Sequence, residues 1–137
     1  MVKYPIFVLD DTSYISVAFD RFEQVSYLEP IDIDHGIYAA YDSEGYRLKL
    51  AVSSLRYDAD YTISRTENLP AVPDELREHL VRSMEIMGIP TEKLAAMPYD
   101  ELIEYARTVF LLPPSGCSTT LLRRLWTSIK RLSHKDE

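Results

Sequence analysis

Gly36-Ile37-Tyr38-Ala39-Ala40-Tyr41-Asp42-Ser43-Glu44-Gly45-Tyr46-Arg47-Leu48-Lys49-Leu50-Ala51-Val52 has the grammar of a β-hairpin. Asp42-Ser43-Glu44-Gly45 fits a type I turn whose last residue takes positive φ, which glycine does without a Cβ clash, giving a three-residue loop with a bulge. That turn sets the register. Asp42 faces Tyr46, Ala40 faces Leu48 and Tyr38 faces Leu50, while Tyr41 faces Arg47 and Ala39 faces Lys49. The expected hairpin has an apolar face of Tyr38, Ala40, Leu48, Leu50 and Val52, and a mixed face carrying Tyr41, Arg47 and Lys49.

Upstream, Pro5 to Leu9 is a short apolar run halted by Asp10-Asp11-Thr12-Ser13. Ile15, Val17 and Phe19 alternate with smaller residues, so the pair predicts a first hairpin with those three side chains on one face. Asp20 precedes Glu23 by three residues, the spacing of a capping box, and opens a short helix to Leu28 with Phe22, Val25 and Leu28 inward and Pro30 as its stop. Ile31 and Ile33 alternate with Asp32 and Asp34, predicting an extended entry to the central hairpin. Downstream, residues 55–64 carry the cleanest period-two pattern in the chain.

From Pro73 the apolar spacing becomes helical. Pro73 suits a first turn, Asp74 and Glu75 suit the positive helix N-terminus, and Leu76, Leu80, Met84 and Met87 form a stripe ended by Gly88. Thr91 caps a short helix holding Leu94, and Pro98 opens another whose apolar side is Leu102, Ile103, Ala106, Val109 and Phe110. After Pro113-Pro114-Ser115-Gly116 a last amphipathic helix is predicted over 118–133. The fold class is α+β: an N-terminal antiparallel sheet of hairpins with one short inserted helix, covered on one face by three to four C-terminal helices. One domain, 1–137, is expected, with 1–65 mainly β and 73–112 helical; 137 residues suffice for a core without metals or disulfides.

Charge narrows the function classes. The net charge of −7 conceals an asymmetry, because residues 1–114 hold 20 acidic and 10 basic side chains whereas 115–137 hold two and five. An acidic body repels phosphate, so nucleic acid is not an expected partner. No apolar run approaches the ~20 residues of a membrane span. Met1 to Asp11 lacks a signal-peptide core, and the single cysteine, Cys117, suits a reducing cytoplasm of bacterial type.

Three constellations invite chemistry. Asp32, Asp34 and His35 combine oxygen and imidazole ligands, and Asp58 with Asp60 repeats the strand spacing beside Tyr57 and Tyr61; together they are the candidates for a metal-binding or hydrolytic alternative. Alternating acids on a strand also serve solubility alone. Ser115-Gly116-Cys117-Ser118 lacks the strand-turn-helix frame of a nucleophile elbow. On the tail, Leu121, Leu122, Leu125, Trp126, Ile129 and Leu132 make an apolar face beside Arg123, Arg124, Lys130 and Arg131, suited to docking on its own acidic body, to another protein or a second copy in a homo-oligomer, or to lying on an anionic membrane. The residues point to a non-enzymatic protein-binding module, inhibitor- or immunity-like, for a basic partner, with Tyr41, Arg47, Asp58, Asp60, Tyr61 and Trp126 as the contact candidates and no cofactor.

Overall fold

The computed structural model describes residues 1–10, 12, 14–52 and 61–111, with backbone alone for Glu23, Ser26 and Tyr61. In chain order these form β1 (Ile6–Leu9), β2 (Ile15–Phe19), a 3₁₀ helix (Phe22–Tyr27), α1 (Pro30–Asp34), β3 (Ala39–Tyr41), β4 (Arg47–Val52), β5 (Tyr61–Arg65), α2 (Pro73–Ile86), α3 (Thr91–Ala95) and α4 (Tyr99–Phe110). The class is α+β. The sheet runs β2-β1-β3-β4-β5 with every neighbouring pair antiparallel.

The central hairpin has the predicted register, Ala40 opposite Leu48 and Tyr41 opposite Arg47. Its turn closes as expected: the Asp42 N–H donates to the Tyr46 carbonyl at 3.0 Å, the Gly45 N–H to the Asp42 carbonyl at 3.0 Å, and Gly45 sits at φ +88°. The expected length of the last strand is only partly covered, because residues 53–60 lie outside the described residues.

Apolar packing differs from expectation in which face the large helices take. Phe7, Leu9, Ile15, Ala18 and Tyr41 pack against Leu76, Leu80, Met84, Leu94, Leu102 and Ala106, so α2, α3 and α4 lie over the face that carries Tyr41. The opposite face, with Ile6, Val8, Phe19, Ala40 and Leu48, is covered by Val25, Leu28 and Ile33 from the 3₁₀ helix and α1. The sheet centre is thus buried on both sides. Strand β1 carried the clue: Ile6, Phe7, Val8 and Leu9 are apolar at every position and all buried, the pattern of a strand with two dry faces. Each fully buried Leu or Met of α2 contributes about 1.5–3 kcal/mol by leaving water, which is why that stripe fixes the helix to the sheet.

Several local expectations are corrected. Ile15 does not share a face with Val17 and Phe19, because the β1–β2 register shifts between Val8 and Leu9 and the extra residue at Ser16 flips the side-chain order. Residues 30–34 are helical, not extended. Pro30 starts that helix at its first position, where its fixed φ suits the turn and its missing N–H costs nothing, and Asp32 lies in the first turn. At the start of the 3₁₀ helix the Gln24 Oε1 accepts from the Asp20 N–H at 2.6 Å, and the side chain of Glu23, expected in that role, lies outside what is described. Phe22 is 47% exposed and not inward. Thr91 is the first residue of α3 and its hydroxyl donates to Glu85 at 3.0 Å, so it caps no backbone amide. The predicted helix over 118–133 lies outside the described residues.

A buried polar contact joins the helical layer to the edge of the sheet. Ser83, 2% exposed, accepts from the Ile15 N–H at 2.8 Å while its hydroxyl donates to the His79 carbonyl at 2.7 Å. The bulge leaves the Ile15 amide facing α2, and a serine in an otherwise apolar stripe satisfies it.

Candidate functional site

Two polar clusters flank the central hairpin. The first is the turn itself. Asp42 is fully buried, and its carboxylate accepts from the backbone N–H groups of Glu44 and Tyr46 at 3.0 Å each, from the Lys3 N–H at 3.3 Å, and from Arg65 at 2.8 Å. Arg65 also reaches Glu44 at 3.3 Å, and its guanidinium lies 3.8 Å from the centroid of the Tyr46 ring. Other elements close on the same turn. The Ser43 N–H donates to the Lys3 carbonyl at 2.9 Å, the Tyr99 hydroxyl donates to the Ser43 carbonyl at 2.7 Å, and the Val72 N–H donates to the Gly45 carbonyl at 2.8 Å. Strand β5, the N-terminal residues and the starts of α2 and α4 therefore meet at Asp42–Gly45.

The second cluster lies where α2 crosses the sheet. The Tyr41 hydroxyl donates to Glu75 at 2.8 Å, and Arg47 donates to both oxygens of the same carboxylate at 2.9–3.1 Å. The register that puts Tyr41 beside Arg47 thus aims both at one residue of the first turn of α2. His79, one helical turn on, places its ring 5.7 Å from that of Tyr41 and keeps Nδ1 buried with no hydrogen-bond partner among the described residues.

Electrostatics define what this cluster does. Burial and the bond to Glu75 push the Tyr41 hydroxyl up to about 12, and the Arg47 and Tyr41 bonds hold the Glu75 carboxyl below its ordinary value. Burial, with the charges of Asp42 and Asp100, also pushes Tyr99 up to about 12. A general acid or base works best with a pKa near the operating pH. Tyr41 and Glu75 are moved the other way, each held in the protonation state that binds its neighbour.

The same shifts give a pH dependence. Between about pH 10 and 12 the unfolded chain loses phenolic protons that folded Tyr41 and Tyr99 retain, so this contribution is fully present below pH 10 and is lost as pH rises through 12. Urea unfolding across pH 9–12 is expected to show that alkaline fall, with a shallower slope in Tyr41→Phe and in Tyr99→Phe. An unchanged slope in both variants would contradict it.

The remaining sequence candidates lie elsewhere. Asp32 accepts from the Tyr38 hydroxyl at 3.4 Å, and Asp34 and His35 are exposed. Because α1 is a helix, residues two apart point to different sides, so Asp32 and Asp34 do not share a face. They also lie across the sheet from Tyr41 and Arg47, since Ile33 packs in the opposite core. Among the described residues no group of three or more His, Cys, Asp or Glu is placed to hold a metal ion. Tyr61 is the first residue of β5, in register with Val52. Asp58, Asp60, Cys117 and Trp126 lie outside the described residues. Tyr41 is 6% exposed beneath α2 and is not on an outer face; Arg47, beside it, is exposed.

Asp42, Arg65 and Glu75 were not among the sequence candidates for a site, and His79, with no acid or second histidine at ligand spacing, reads from the sequence as a rim histidine. Asp42 had a readable signal, a first turn position from which a carboxylate bonds the amides that follow. Arg65 and Glu75 had none, because each finds its hydrogen-bond partners 21 or more residues away. Comparison with family models, curated proteins and solved structures finds no significant match to this chain. Among the described residues no helix is long and apolar enough to cross a membrane.

Proposed function

We propose that this chain is a non-catalytic, cytoplasmic protein-binding module that takes a basic protein on the outer surface of α2, α3 and α4, in the manner of an inhibitor or immunity protein. One observation carries the reading. Residues 73–110 hold eight acidic and four basic side chains, and all four bases are engaged within the chain: Arg77 with the Met97 carbonyl at 3.1 Å, Arg82 with Glu78 at 3.1 Å, Arg107 with Glu104 at 2.7 Å and Asp20 at 3.2 Å, and Lys93 over the Tyr105 ring at 4.8 Å. Asp74, Glu92, Asp100 and Glu101 stand exposed in the first turns of the three helices. A surface of one sign steers an oppositely charged partner and raises its association rate. The saturated carboxylates of Asp42 and Glu75 support the non-catalytic part of the reading, since each already accepts donors from its own chain.

Affinity capture from a lysate of the source organism tests it. Wild-type bait at low ionic strength is expected to enrich a basic protein, and bait carrying Glu92→Gln, Asp100→Asn and Glu101→Gln is expected to lose it. Equal capture by both baits, or capture of an acidic protein, would contradict the reading.

A further inference from the structure

We propose that β5 is a dimerisation edge: two copies of this chain pair their β5 strands antiparallel about a two-fold axis at Ile63, making one sheet continuous across both copies. Such pairing lies at the end of the sheet and is independent of the basic partner proposed for α2, α3 and α4. Strand β5 stands at one end of the strand order and pairs with β4 alone among the described residues.

The ladder with β4 fixes where the backbone groups of β5 point. The Thr66 N–H donates to the Arg47 carbonyl at 3.0 Å, and Thr66 stands opposite Arg47 by continuation of the register that pairs Arg65 with Leu48. Hydrogen-bonded pairs alternate along an antiparallel ladder, so Ser64 and Thr62 also turn their N–H and C=O towards β4. Tyr61, Ile63 and Arg65 turn theirs outward. Natural sheet edges are blunted by proline, lysine or a bulge. Tyr61-Thr62-Ile63-Ser64-Arg65 contains neither residue, and its register with β4 is unbroken. The other edge is blocked: β2 carries the bulge at Ser16, gives its Ile15 N–H to Ser83 and is bridged at Ala18 by Leu111.

The strand is also complementary to itself. With the axis at Ile63, Tyr61 stands opposite Arg65 of the second copy and Thr62 opposite its Ser64, and the outward residues Tyr61, Ile63 and Arg65 exchange both backbone bonds across the axis. Apolar surface runs out to this edge on one face, where Leu50, Val52 and Ile63 are only partly buried, and Ile63 against its own copy continues that strip. Charge permits the pairing. In a chain whose residues 1–114 hold 20 acidic and 10 basic side chains, β5 has no acid and a single base, Arg65. Antiparallel pairing keeps the two Arg65 residues about 14 Å apart along the strands, beyond the ~8 Å screening length of physiological salt. Because the same strand serves both copies and β2 is blocked, the assembly stops at two. Five residues a side is a smaller contact than a permanent dimer has, so association depends on concentration.

Sedimentation equilibrium on the purified full chain, from micromolar to millimolar concentration, tests the proposal. The mass is expected to rise from one chain to two and no further. Thr62 and Ser64 are exposed, and across the axis they face each other as a non-hydrogen-bonded pair, where opposing side chains stand closest. Thr62→Lys with Ser64→Lys sets like charges there while bringing the acidic chain nearer neutrality, which would favour association at any other surface. Its dissociation constant is nonetheless expected to rise roughly tenfold, with far-ultraviolet circular dichroism unchanged. Thr62→Lys with Ser64→Glu sets opposite charges across the axis and is expected to associate at least as tightly as the wild type. A wild type that stays a monomer at every concentration would overturn the proposal, and an Ile63 amide protected from hydrogen exchange in that monomer would give the edge to a segment of the same chain. So would a dimer that Thr62→Lys with Ser64→Lys leaves as tight, or one that Thr62→Lys with Ser64→Glu weakens equally.

Discussion

Asp42→Ala is expected to lower unfolding stability by about 3–5 kcal/mol, the range for breaking a buried charge pair by removing one partner. The carboxylate is fully buried and serves four donors: the amides of Lys3, Glu44 and Tyr46 and the Arg65 guanidinium. Alanine leaves these part-buried N–H groups without their acceptor, and each unmade bond adds to the cost. Asp42→Asn keeps the shape and one acceptor oxygen but turns an N–H towards other donors, so it should recover only part of the loss. Urea unfolding with a common slope measures both. A loss under about 1 kcal/mol in Asp42→Ala, within the range of ordinary surface substitutions and weak contacts, would mean that the turn is not where the elements are joined.

Gly45→Ala has the second large effect, and it comes from two sources. At φ +88° any side chain incurs about 1–2 kcal/mol of backbone strain. A Cβ there would also stand 2.7 Å from the Cα and N of Pro73, backbone atoms at the start of α2 that cannot rotate away, and overpacking of that kind costs typically 1–3 kcal/mol more. The sum is about 3 kcal/mol. Gly88→Ala separates the two sources, because Gly88 has φ +93° and a Cβ added there would meet no atom within 4 Å. It should show the backbone part alone. Equal losses at Gly45 and Gly88, measured by thermal unfolding at matched pH, would mean that the contact with Pro73 costs nothing.

These two positions also show how much of the molecule is legible in its sequence. The hairpin register follows from one turn signal because Asp42 and Gly45 are local requirements of that turn, met within four residues. The α2 stripe is legible for the same reason, a period carried over 14 residues. The choice of face is not local. Tyr41 sits opposite Arg47 and looks like part of a wet face, yet α2 covers it, and only the unbroken apolar run of β1 pointed to a second dry side. Ile31-Asp32-Ile33-Asp34 reads equally as two periods over four residues, and Pro30 at the first helical position decides it. The bulge at Ser16 carries no signal in composition, since Ser83, which satisfies the Ile15 amide beside it, is 68 residues from Ile15. The register pairs Tyr41 with Arg47, but Glu75, which joins them, entered only as a charge at a helix start.

On the proposed reading, the carboxylates beside the hairpin hold the fold while the acids on the outside of α2, α3 and α4 meet a basic partner. The most direct measurement is the association rate with the captured partner as a function of ionic strength. A rate that falls steeply between about 0.01 and 0.15 M salt is predicted, as the screening length shrinks from about 30 to 8 Å, with a much weaker fall for the Glu92→Gln, Asp100→Asn, Glu101→Gln variant. An association rate indifferent to salt, or one equally steep in that variant, would contradict it.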